Sequence, residues 1–350
     1  LSTTIDRRLF VKSLLGTAVL GALAACSPGA SAGPVLTAAD PLPTEVPPGT
    51  ALKVAAPNGA QKLALELSGL IDRLPFTVPE WANVSAGPDV INAFRAKSLE
   101  LASNAGIPPI QAAYQGYDAK IVAVQEKHTP TLRFATKPGS DIASVEDFRG
   151  KKIAFSQGQA QGVVVLRQLK QAGIDYGEVE LVPLTTPQFL TSLQAGQVDI
   201  APLTTLQVPK YLDQYAADGA RAIETDVVDL LTVLWAPTEV LEDPAKAAAI
   251  AAYIPLWAQS TVWYSENPEE WVQKYYVQSQ NLVAEEGRAI VDLTGLPHFP
   301  ASWDEAIAWE QETADLLAEG GFVDALDVSA LFDRRFESLA AAAVAETYRS

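Results

Sequence analysis

From residue 51 onward, short apolar runs and helical periods alternate, and the alternation passes twice through the same order. The first series opens with an apolar strand over 52–56, a Pro57-Asn58-Gly59 turn, and a helix whose Leu63, Leu67, Leu70 and Ile71 fall on one face. Strand-like runs follow at 77–84, 99–103, 120–124 and 132–136, with helical runs at 89–96 and 107–115. The second series starts at Lys151 with strands over 152–155, 178–184 and 198–201 and helices over 161–172, 187–194 and 205–215. Such a pattern predicts an α/β fold, because each strand must bury a face and each helix a stripe against the other. Local echoes between 94–103 and 193–202 support two similarly built halves. After a further strand over 230–236 the chain turns helical, with Trp257, Trp263, Trp271 and Trp303 read as packing residues and, secondarily, as ligand-stacking ones.

The N-terminal segment has a different grammar. Arg7, Arg8 and Lys12 precede an apolar run over 14–25 that ends in Leu23-Ala24-Ala25-Cys26. The run is shorter than the roughly 20 apolar residues a spanning helix needs, so residues 1–25 read as an export signal. The Leu-Ala-Ala-Cys end resembles a bacterial lipoprotein signal and the Arg pair a twin-arginine one, which implies lipid attachment at Cys26. Six prolines between Ser27 and Thr50 predict a flexible tether over 26–50.

Composition removes several function classes. Cys26 is the only cysteine, so the chain after it offers no disulfide framework, cysteine-rich zinc site or thiol nucleophile. A formal charge of −17 repels nucleic acid and anionic headgroups, so neither is an expected partner. His128 and His298 are the only histidines and stand far apart in sequence, and neither a metal nor a cofactor is expected. About 325 residues remain after the signal, more than one core usually organises, so two lobes are expected.

Several segments in fixed order resemble one family. Residues 85–94 (Ser-Ala-Gly-Pro-Asp-Val-Ile-Asn-Ala-Phe), 99–113 with Pro108-Pro109, and 115–124 come first. Residues 145–154, 193–199 and 311–321 continue the match. Together they resemble the substrate-binding proteins of ABC importers for aliphatic sulfonates, taurine, nitrate and thiamine precursors. The resemblance implies a type II periplasmic-binding-protein-like fold with a ligand cleft between two lobes. Lobe 1 is expected over 51–135 and 237–345, lobe 2 over 136–236, with chain crossings near 134–138 and 231–237. It also implies a monomer outside the cytoplasmic membrane, held there by its lipid, that delivers a small organic oxyanion to permease and ATPase subunits. A nitrate or pyrimidine-precursor binding protein, a cleft enzyme of the same fold, and a lipid-tethered adhesion or sensor module that has lost transport remain open alternatives. One departure bears on the ligand: the acidic residue the sulfonate binders often carry before their Pro-Pro pair is replaced by Ala105-Gly106.

Anion capture in a cleft needs free backbone N–H groups at helix N-termini, glycines that let a ligand approach, and neutral donors. Asn58, Gly59 and Gln61, then Gly87, then Ser156, Gln157, Gly158 and Gln159 are the turns that could supply them. Asn104, Thr204 and Thr205 are expected to add hydrogen bonds, and Trp235 to pack on an organic tail. Lys62 and Arg95 read as solvated helix faces, and no catalytic residue is expected.

Overall fold

A computed structural model describes residues 35–350; Cys26 and the signal segment lie outside the described residues. Among the described residues, ten strands form three sheets. β1 (Val54–Ala55) pairs in parallel with β2 (Trp81–Ala82). β10 (Leu231–Pro237) runs antiparallel between β3 (Ala102–Ala105) and β4 (Ala119–Glu126). The third sheet has the order β7-β6-β8-β5-β9, built from β5 (Leu132–Thr136), β6 (Lys152–Phe155), β7 (Glu180–Pro183), β8 (Ile200–Thr204) and β9 (Ala222–Ile223). The strands at the sheet centres are continuous apolar runs because both faces are covered. From Ile121 to Glu126, every β4 residue is buried.

Strand pairing defines two lobes, one around the two smaller sheets and one around the five-stranded sheet. β5 pairs with β8 and β9, whereas β10 pairs with β3 and β4. The crossings therefore lie at 127–131 and 224–230, several residues before those expected from the sequence. Apolar runs show where strands are, but hydrogen-bond partners decide which lobe a strand joins, and those are non-local.

Helices cover the sheets in chain order: α1 (Ala60–Leu67), α2 (Gly87–Arg95), α3 (Ile107–Tyr114), α4 (Ala160–Gln171), α5 (Phe189–Gln194) and α6 (Gln207–Tyr215). After β10 come α7 (Thr238–Leu241), the long α8 (Pro244–Glu266) and α9 (Pro268–Trp271). A π-helical stretch, Val272–Ser279, leads to α10 (Ala284–Thr294), α11 (Asp304–Glu319) and α12 (Leu339–Ala342). The Asp243 carboxylate caps α8 by accepting from the Ala245 and Lys246 N–H groups at 2.8 and 3.2 Å. Lys246 Nζ then donates to Glu100 and to the Ala51 carbonyl, pinning α8 to the first sheet.

The proline-rich stretch is docked over its described part. Leu36 N–H donates to the Glu242 carbonyl at 2.8 Å, Arg335 Nη1 donates to the Thr37 carbonyl at 2.9 Å, and Leu42 and Val46 pack on the core. Residues 35–50 thus belong to the folded body. Prolines hold a chain extended at low entropic cost, which suits a strap along a surface as well as a tether. Among the described residues, no helix is long and apolar enough to cross a membrane.

Candidate functional site

A cavity of about 360 Å³ opens where β1, β3, β4 and β10 end against α1, α8, α10 and the π-helical stretch. Its floor is a polar row. In the antiparallel register Thr232 of β10 faces Gln125 of β4 on one side and Ala105 of β3 on the other, so Thr232, Gln125 and Ser103 share one face of the sheet. Gln125 is 7% exposed.

The helical part of the lining is rich in aromatic residues. Trp257, Thr261, Tyr264 and Ser265 follow the helical spacing of one face of α8. The Tyr264 ring stacks on Trp271 at 5.0 Å, and Trp271 stacks on Tyr275 at 4.6 Å with planes 14° apart. Tyr276 meets Tyr275 edge-on at 5.0 Å. Burial pushes the Tyr264 and Tyr276 hydroxyls up to about 12, so both stay protonated donors at neutral pH. Tyr276 has room because position 287 is glycine: a Cβ there would sit 2.7 Å from the Tyr276 Cβ. All side chains around the cavity are neutral.

Two of the expected residues line this cavity, Asn58 and Gln61. Asn58 (φ 52°) and Gly59 (φ 73°) form the left-handed turn that starts α1. Gln280 Nε2 donates to the Asn58 carbonyl at 3.3 Å, and Gln61 Nε2 to Ser260 Oγ at 2.8 Å. The other expected residues sit elsewhere. Gly87 backs onto Pro108, where a Cβ would come within 2.9 Å of the ring. Asn104 accepts from Trp235 Nε1 at 2.9 Å and donates to the Ser85 carbonyl at 2.8 Å. Trp235 itself is fully buried against Phe94, in the core and away from the cavity.

The turn 156–159 joins the seam between lobes. Gln111 of α3 donates to the Gln157 carbonyl, Gln157 donates to the Phe322 carbonyl at 3.0 Å, and a Cβ on Gly158 would meet the Gln111 amide at 3.1 Å. Ser156 donates to Gln159 Oε1 at 3.1 Å. Thr204 caps α6 through Gln207, and Thr205 N–H donates to the Thr131 carbonyl. The two histidines, far apart in sequence, meet in space. Their ring centroids are 5.1 Å apart, with Glu126 3.3 Å from His128 Nε2. Burial, then the neighbouring His128, lower the His298 pKa, with Glu126 opposing. Among the described residues no group of three or more His, Cys, Asp or Glu is arranged to hold a metal.

The space beside Gly106 is filled by a buried carboxyl from another element. Glu310 of α11 places its carboxyl in the space a Gly106 side chain would occupy, with Oε2 2.2 Å from where that Cβ would lie. Glu310 is 1% exposed and its Oε1 has no hydrogen-bond partner. Burial, reinforced by Asp229 and opposed by Arg167, pushes its pKa up to about 8, so at neutral pH it is mostly uncharged. A Gly106→Ala substitution forces these atoms apart and is expected to cost about 1–3 kcal/mol of unfolding free energy. In the Glu310→Ala background the same change should cost almost nothing. Urea unfolding of the four proteins checks this, and equal losses in both backgrounds would disprove the close packing.

The sequence marks Trp257 and Trp271 first for packing and secondarily for ligand stacking, and does not single out Gln125, Tyr264, Tyr275 or Tyr276. The available signals were the spacing of Trp257, Thr261, Tyr264 and Ser265, and a glutamine directly after the apolar run 121–124.

The family model described as "NMT1/THI5 like" matches residues 85–236. A curated Escherichia coli (strain K12) protein named "Putative aliphatic sulfonates-binding protein" is 31% identical over 137 residues, 39% of this chain and 43% of that relative's length. The aligned stretch therefore spans less than half of that relative. The crystal structure of the periplasmic aliphatic sulphonate binding protein SsuA from Escherichia coli superposes with a TM-score of 0.69 at 24% identity, covering 81% of this chain and 91% of SsuA. The alkanesulfonate-binding protein SsuA from Xanthomonas axonopodis pv. citri, bound to MOPS, gives 0.67 at 18% identity over 83% and 99%. A DszB mutant in complex with biphenyl-2-sulfinic acid gives 0.56 at 13% identity over 84% and 99%. The match to the NMT1/THI5-like family model is confined to residues 85–236, and the chain shares the fold of these periplasmic binding proteins.

Proposed function

We propose that this chain is the extracytoplasmic substrate-binding component of an ABC importer and that it captures a small organic sulfonate for a permease and its ATPase. The observation that carries this reading is the pairing of sulfonate-binding relatives with a neutral cavity lined by Gln125, Thr232 and Ser103 of one sheet face. A sulfonate is a weak base whose charge is spread over three oxygens, so amide and hydroxyl donors in a partly dry site hold it without a full counter-charge. Binding alone is expected, without turnover. The DszB likeness keeps a cleft enzyme as the second reading, but the cavity offers no thiol, histidine or carboxylate to serve it.

Lipid on Cys26 would keep the receptor near its permease and raise the local concentration of loaded protein there. The ion pair between Lys210 of α6 and Glu286 of α10 spans the two lobes and would favour the arrangement in which they approach.

Calorimetric titration of the chain with ethanesulfonate and butanesulfonate is expected to give saturable one-to-one binding, with the ligand recovered intact. The Gln125→Leu variant should bind about tenfold or more weakly, the loss typical of a hydrogen bond to a charged group. Release of sulfite on incubation would replace transport by catalysis. Wild-type affinity in the Gln125→Leu protein would take β4 out of the site.

A further inference from the structure

The cavity has a fixed side and an appended one. Asn58, Gln125 and Thr232 belong to the sheets and the turn before α1, whereas Trp271, Tyr275, Tyr276, Val291, Thr294 and Gly295 come from one hairpin, residues 268–295. That hairpin is α9, the π-helical stretch and α10. It holds together from within: Arg288 of α10 pairs with Glu269 of α9, and Gly287 lets α10 close on Val272 and Tyr276. α10 packs chiefly on α9 and the π-helical stretch, so its main neighbours are its own hairpin. The base is anchored where Trp271, 4% exposed, stacks on Tyr264 of α8 at 5.0 Å. Beyond that base little is buried, for the π-helical stretch has one buried residue, Val272, and α10 has one, Gly287. Segments with few buried apolar contacts open at low free-energy cost.

Both ends of the hairpin interrupt regular structure. Asn267 (φ −124°, ψ 54°) breaks the helical path between α8 and α9, and Gly295 (φ 70°, ψ −169°) follows α10 in a conformation open almost only to glycine. Beyond these ends, and among the described residues, two polar links tie the hairpin to the rest of the chain. Gln280 Nε2 donates to the Asn58 carbonyl at 3.3 Å, just after β1. Glu286 pairs with Lys210 of α6, which packs on β8 of the five-stranded sheet. The buried seam between the lobes lies elsewhere, at α4 and α11, where Arg167 covers Trp309 and donates to Thr313. Resting on the reading of this cavity as the binding site, we infer that hairpin 268–295 is a hinged roof under which the ligand leaves, held shut by Lys210–Glu286 and Gln280–Asn58. Because one catch reaches each lobe, the approach of the lobes fastens the roof over a bound ligand.

Stopped-flow tryptophan fluorescence of the full chain with butanesulfonate follows the roof, since Trp257 and Trp271 line the cavity. Lys210→Gln is expected to speed release about two- to fivefold, the range for an exposed ion pair, with the entry rate nearly unchanged. Gln280→Ala should speed release by a similar factor. The exchanged pair Lys210→Glu with Glu286→Lys should return the native rate. Hydrogen exchange without ligand gives a second readout: amides of 268–295 should exchange faster in both single variants, while those of α4 and α11 keep their native rates. Faster release in Lys210→Gln but not in Gln280→Ala would assign the effect to lobe closure alone and overturn the roof. Unchanged exchange over 268–295 would overturn it as well. Failure of butanesulfonate to bind, with exchange accelerated in both variants, would remove the sulfonate reading and leave the hinged roof standing.

Discussion

Replacing Glu310 with glutamine is expected to stabilise the protein above neutral pH and to leave it nearly unchanged below pH 4.5. The Glu310 carboxyl titrates near 8 in the folded protein because burial and the nearby Asp229 charge disfavour its ionised form. Unfolded, it titrates near 4.5. Below 4.5 it is protonated in both states and costs nothing. Between 4.5 and 8 the unfolded chain gains the free energy of ionisation and the folded chain does not, so the stability contributed by protonated Glu310 is lost as pH rises and is fully lost above 8. The shift corresponds to roughly 3–5 kcal/mol. Glutamine has the same shape, cannot ionise, and can still present an oxygen to the start of α3. The difference in unfolding free energy between variant and native protein, followed by urea titration from pH 4 to 9, should therefore climb by about that amount and level off near 8. A flat difference would mean that Glu310 is solvated or ion-paired in the folded state.

Most of the fold was legible because its signals are local. The strands over 132–136 and 152–155 were expected at the ends they have, and α2, α3, α4 and α6 within a residue or two, since periodicity and turn residues act within a few positions. The site was less legible because it is assembled from afar. Gln125 and Thr232 become neighbours only through the β4–β10 register, and the Tyr264, Trp271 and Tyr275 stack depends on a π-helical stretch that the sequence does not announce. Gly106 illustrates the limit well. The sequence showed that no acid stands at Gly106 but could not show that a buried carboxyl from Glu310, far along the chain, fills the space beside it. Asn104 shows the complementary limit: an amide on a turn looks free in the sequence, and only the fold shows the indole of Trp235 donating to its oxygen.

Arg167→Ala is expected to lose about 3–5 kcal/mol, chiefly at the seam between α4 and α11. Arg167 is 5% exposed, its guanidinium lies 3.6 Å from the centre of the Trp309 ring, and Nη2 donates to Thr313 Oγ1 at 2.7 Å and to the Trp309 carbonyl at 3.0 Å. Its ion pair with Glu312 matters less, because that carboxylate is half exposed and regains water when the partner leaves. Arg167→Lys keeps the charge but loses the planar fork and the stacking, so it should recover only a minor part of the loss. Full recovery by lysine would show that charge alone, not the stacked and forked geometry, holds the seam. The two predictions are coupled with a definite sign. Arg167 lowers the Glu310 pKa by favouring its ionised form, so removing the guanidinium hurts most when Glu310 is charged. A double-variant cycle of Arg167→Ala and Glu310→Gln should show a larger interaction energy at pH 9 than at pH 6. If the coupling is the same at both, the guanidinium and the buried carboxyl do not sense each other across the seam.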